Sequence, residues 1–68
     1  METHDNLWVV SGLKSNTELK IWSQNGQEID SFKEKDNQII VNRKRYPNGV
    51  YFLVLDTGEK PIIYKVYN

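Results

Sequence analysis

Residues 18 to 22, Glu-Leu-Lys-Ile-Trp, alternate strictly, with Leu19 and Ile21 on one parity and Glu18, Lys20 and Trp22 on the other. A period of two marks a strand with one buried face, so Leu19 and Ile21 are expected to face a core and Trp22 to face outward. Asn25-Gly26 comes next, after Ser23-Gln24. Both residue types tolerate positive φ, which predicts a type I′ turn and a hairpin over residues 18 to 32. The return strand carries Ile29 and Phe32 on opposite parities, so either a bulge lies between them or one of the two sits at a strand end. Leu7-Trp8-Val9-Val10 reads as an earlier strand that stops at Ser11-Gly12. Gln38-Ile39-Ile40-Val41-Asn42 reads as a later one, beyond the charged turn Lys33-Glu34-Lys35-Asp36-Asn37.

The longest apolar run, Val50-Tyr51-Phe52-Leu53-Val54-Leu55, is hydrophobic on both parities, which predicts a central strand with both faces covered. Pro47-Asn48-Gly49 precedes it. A five-residue connection, Asp56 to Lys60, leads to Pro61 through Tyr67, where Ile62, Tyr64 and Val66 share one face and Ile63, Lys65 and Tyr67 the other. These last two runs are expected to pair as a hairpin, with Pro61 at a strand start where its missing N–H matters least. About six short strands with closely spaced turns predict an all-β fold, a small antiparallel β-sandwich.

Composition sharpens this picture. The chain has no alanine, only five leucines, and twenty-three residues drawn from Val, Ile, Thr, Tyr, Phe and Trp, the types that suit a pleated surface. Its 68 residues leave room for one small domain, and with no cysteine neither disulfides nor a thiolate zinc site can supplement the core. Residues 1–6 read as a terminus outside the fold, either disordered or expression-derived, with Met1 an expression start and His4 a tail residue, and 7–68 as the folded domain. The start Met-Glu-Thr-His-Asp lacks the character of a signal peptide, and no apolar run approaches the ~20 residues of a membrane span. No direct membrane insertion is expected.

Charge argues against nucleic acid. Nine Lys+Arg balance nine Asp+Glu, which lacks the basic excess that displaces counterions from a phosphate backbone. The distribution is uneven: residues 1 to 36 hold seven acids and four bases, residues 37 to 68 two acids and five bases, so the C-terminal half is the electrostatic docking surface. Arg43-Lys44-Arg45 beside Tyr46 is read as a charged turn between strands. Catalysis finds no support, because the single histidine is in the terminus and the acids are scattered. The same scatter speaks against a metal site, and no cofactor is expected.

The order of these pieces resembles the C-terminal sorting domain of proteins exported by the type IX secretion system of Gram-negative bacteria. The resemblance rests on Ser11-Gly12-Leu13, Leu19-Lys20-Ile21-Trp22, the turn Asn25-Gly26-Gln27, the Gly-x-Tyr strand in Pro47-Asn48-Gly49-Val50-Tyr51-Phe52-Leu53-Val54, and the lysine-bearing Tyr64-Lys65-Val66-Tyr67-Asn68. Two family features differ. Arg43-Lys44-Arg45 stands where an apolar, serine-containing segment is usual, and the Tyr-Pro-Asn-Pro lead-in is absent, so the chain reads as excised from the end of a larger exported protein.

The resemblance implies an immunoglobulin-like β-sandwich with no catalytic activity. It would be recognised by the type IX translocon and removed by a sortase-like protease as its N-terminal cargo domain is anchored or released. Its location would be the periplasm in transit to the outer membrane, cell surface or medium. The recognition residues it implies are Gly26, Pro47, Gly49, Tyr51, Lys65, Val66, Tyr67 and Asn68. A terminal strand with an available backbone edge can also join a receptor sheet by strand addition, and edge strands offer a route to a homodimer. The alternative reading of the same residues is a small adhesive or carbohydrate-binding module that stacks sugars on Trp8, Trp22 and surface tyrosines.

Overall fold

The computed structural model describes residues 1–68 and consists of seven strands and one 3-10 turn. The strands are β1 (Glu2–Thr3), β2 (Leu7–Val10), β3 (Glu18–Ser23), β4 (Glu28–Lys33), β5 (Ile39–Asn42), β6 (Val50–Asp56) and β7 (Ile62–Tyr67), with the 3-10 turn at Arg43–Arg45. They form two antiparallel sheets, of order β1-β2-β5 and β4-β3-β6-β7. The expected all-β sandwich is the observed architecture.

The alternation along the chain builds the interface between the sheets. Trp8 and Val10 of β2, with Ile39 and Val41 of β5, are buried on one side. Leu19 and Ile21 of β3, Tyr51, Leu53 and Leu55 of β6, and Val66 of β7 are buried on the other, with Leu13 from a loop. Removing such side chains from water at about 25 cal/mol per Å² of apolar surface is the main source of cohesion in a domain with no cross-link.

Three expectations are corrected by the structure, and the alternative left open for β4 is decided. Residues 1–6 are not outside the fold: Glu2 and Thr3 pair with Val9 and Trp8, and the His4 amide donates to the Leu7 carbonyl at 2.8 Å. This pairing joins residues through backbone groups that their polar side chains do not advertise. The 18–32 hairpin forms, but Asn25 does not adopt positive φ. The loop closes with Gly26 N–H to Ser23 and Ser23 N–H to Gln27, and only Gly26 (φ +84°) is left-handed. Four residues, Gln24 to Gln27, separate the strands, too many for a two-residue type I′ turn. Positive φ at two successive residues occurs instead at Asp36 and Asn37 (54° and 64°), inside the mutually hydrogen-bonded pair Lys35 and Gln38.

The bulge in β4 falls at Ile29 itself, since Trp22 pairs with Glu28 and Ile21 with Asp30. Last, β6 is central between β3 and β7, but only its inner face is fully covered. Val50, Phe52 and Val54 are half-buried because no third layer lies over the outer face of this sheet.

Candidate functional site

The loop from Arg43 to Gly49 sits on an aromatic floor. Trp8 is fully buried, stacked on Tyr46 at 6.3 Å and tilted against Tyr51 at 6.4 Å, and Tyr46 and Tyr51 lie 6.0 Å apart. Trp22, as expected from its parity, lies on the outer face, where it lines a shallow apolar depression with Gly26, Phe52, Val54 and Ile63. With Trp8 in the core, the two tryptophans cannot form a joint stacking surface.

The last residue of the sequence closes this loop. Gly49 and Asn68 exchange backbone hydrogen bonds at the end of the β6–β7 ladder, and the Asn68 Nδ2 group donates to the carbonyls of Arg43 and Tyr46, each at 3.0 Å. The Tyr51 hydroxyl donates to the Pro47 carbonyl at 2.7 Å, fixing the loop from below. Gly49 has φ +155°, a conformation side-chain-bearing residues rarely adopt, which lets the chain turn from the loop into β6.

Arg43 gathers both ends of the chain. Its guanidinium donates through Nη1 to the His4 carbonyl and through Nε to Asn68 Oδ1 at 3.3 Å, approaches the Tyr67 carbonyl through Nη2 at 3.5 Å, and lies 5.6 Å from the Trp8 ring centroid. A rigid planar fork with several donors suits this, and a lysine ammonium would not reach all the acceptors at once. On the other flank the Tyr46 hydroxyl donates to Asp30 at 2.6 Å. That bond, more than the Ser31 N–H and Arg45, holds the Asp30 carboxyl below the usual carboxylate range, while burial and the same carboxylate raise the Tyr46 phenol above its ordinary value.

Six of the eight residues implied by the resemblance are thus brought together at one end of the sandwich: Pro47, Gly49, Tyr51, Val66, Tyr67 and Asn68. Tyr51 and Val66 are buried, directly opposite one another across β6 and β7. Lys65 is exposed on the outer face beside Phe52, with its ammonium 5.7 Å from the Tyr67 ring. Gly26 stands apart, at the β3–β4 turn. Sequence reasoning missed Arg43 and Tyr46. Their partners are 16 to 39 residues away, and the only signal was the basic cluster with its aromatic neighbour.

The family model described as the secretion system C-terminal sorting domain matches residues 3–67, nearly the whole chain. The chain belongs to the type IX secretion C-terminal sorting domain family. No curated protein and no solved structure matches it. A sorting domain of this family directs export across the envelope to the cell surface or medium. The match begins at Thr3 in β1, so β1 to β7 all fall within the sorting domain or at its border.

Proposed function

We propose that this sorting domain works as a non-catalytic address at the C-terminal side of a cargo. It accompanies the cargo through the periplasm, its terminal strand β7 is read by the type IX translocon, and a sortase-like protease then removes it. The observation that carries this reading is the locking of β7 at its far end. Asn68 and Arg43 hold the strand's last residues against the Gly49 loop, so β7 is presented in one fixed register. An ordered strand binds without the cost of ordering it first. The burial of Trp8 weighs against the adhesive alternative.

The experiment is transfer with a mass readout. A periplasm-directed reporter carrying this domain at its C-terminus, in a host with a type IX system, is expected outside the cell and shortened by roughly the 8.0 kDa of the domain. Export at full length would remove the protease from the account. A folded fusion retained in the periplasm would remove the sorting reading itself.

A further inference from the structure

The sandwich has four sheet edges and treats them differently. β1 is two residues long, β5 is four and runs straight into the 3-10 turn, and β4 is bulged at Ile29 with Glu28, Asp30 and Lys33 along it. Short, bulged or charged edges are poor templates for another strand. β7 is six residues long and pairs with β6 in unbroken register, and its one charge, Lys65, deters a like-charged strand while leaving the edge open to an oppositely charged one.

The hydrogen-bond phase of β7 follows from its end. Because Gly49 and Asn68 exchange both backbone bonds, alternation puts Val66, Tyr64 and Ile62 in the bonded pairs with β6 and turns the N–H and C=O of Ile63, Lys65 and Tyr67 outward. The Tyr67 carbonyl is already approached by Arg43. Ile63 and Lys65 are left to pair with an incoming strand.

Their side chains specify what that strand carries. Ile63 is 61% exposed and lines the apolar depression with Trp22, Phe52 and Val54. Tyr67 is 69% exposed. Between them Lys65 forms no ion pair, the four in the molecule being made by His4, Lys14, Lys20 and Arg45. The edge therefore reads apolar, cationic, aromatic. A second copy of β7 fits it poorly: a two-fold axis at Lys65 opposes two ammonium groups, and one at Tyr64 sets Lys65 against Ile63 without neutralising it.

Resting on the reading that β7 is the recognised element, we propose that its occupant is an extended segment of a partner protein with the pattern apolar-x-acidic-x-apolar, laid antiparallel along β7. The carboxylate stands opposite Lys65, one apolar side chain opposite Ile63 at the rim of the depression, and the other beside Tyr67. All pairings in this sheet are antiparallel, and opposite charges directly across a ladder favour pairing while like charges oppose it.

The test is an NMR titration of the isotope-labelled chain with the peptide Thr-Val-Thr-Glu-Thr-Val-Thr, blocked at both ends, and with its Lys-for-Glu counterpart. Expected are amide shifts centred on residues 62–67, about fivefold tighter binding of the acidic peptide, and reversal of that preference in Lys65→Glu. Ile63→Pro removes one outward N–H and leaves the ladder to β6 intact, so it should abolish binding of both peptides in a chain whose other shifts are unchanged. Equal affinity for the two peptides, shifts centred elsewhere, no shift at millimolar peptide, or self-association that the peptide does not displace would each overturn the proposal. Wild-type export of reporters carrying Lys65→Glu and Ile63→Pro would overturn it while leaving the sorting function standing. Failure of the unsubstituted domain to export its reporter would instead strike at that function.

Discussion

Gly49 and Asn68 face one another at the end of the β6–β7 ladder and exchange both backbone hydrogen bonds, Gly49 N–H to Asn68 at 3.1 Å and Asn68 N–H to Gly49 at 2.8 Å. The asparagine side chain then reaches past the glycine to the loop carbonyls of Arg43 and Tyr46. One residue fastens the terminal strand and the loop that precedes its partner.

Replacing that side chain is therefore expected to loosen the loop more than the sheet. Asn68→Ala removes two well-formed donor bonds, each with a net worth of about 0.5–1.5 kcal/mol, so a loss of about 1–3 kcal/mol is predicted from urea unfolding. Faster amide exchange at Tyr46 and Gly49, with β3 unchanged, should accompany it. Uniform acceleration across the chain would contradict a local role.

Gly49→Ala isolates backbone strain from packing. The nearest atom to an added Cβ is Tyr51 Cε2 at 4.0 Å, an ordinary contact, whereas φ +155° is a conformation alanine rarely adopts. The expected cost is about 1–3 kcal/mol, measured by thermal or urea unfolding. Stability equal to wild type would show that the loop adopts another conformation without penalty.

The Tyr46–Asp30 bond sets a pH window. Asp30 titrates below its ordinary value, so its contribution is complete above about pH 4 and is lost as pH falls through the lowered value. Tyr46 titrates above its ordinary value, so its contribution is complete below about pH 10 and is lost as pH rises through the raised value. In Tyr46→Phe, the Asp30 carboxyl resonance should titrate closer to the ordinary carboxylate range, and stability at pH 7 should fall by about 1 kcal/mol. An unmoved Asp30 titration would assign its low value to Arg45 or Ser31 instead.

The inner face of the sandwich was legible because Leu19, Ile21, Tyr51, Leu53 and Leu55 obey the period of two over whole strands, and each is buried. The outer face was misread at Val50, Phe52 and Val54, where apolar character on both parities normally signals two covering layers and here meets only one. β1 was invisible because the pairing of Glu2 and Thr3 is a backbone affair. The residues of the family signature gather at one end of the molecule, through Gly49, Tyr51 and the terminal strand. It did not reveal that Arg43, drawn from a cluster that reads as a solvated turn, ties His4 and Asn68 across 39 and 25 residues, since such a contact exists only once the sheets have met.

Under the proposed function a terminal strand held by Gly49, Asn68 and Arg43 is the export address, so export depends on where the domain is placed on its cargo. The measurement is the fraction of a periplasm-directed reporter found outside a type IX host when the domain is joined to the reporter's C-terminal end and when it is joined to its N-terminal end. Export from the first placement only is the predicted result. A folded C-terminal fusion confined to the periplasm, or equal export from both placements, would contradict it.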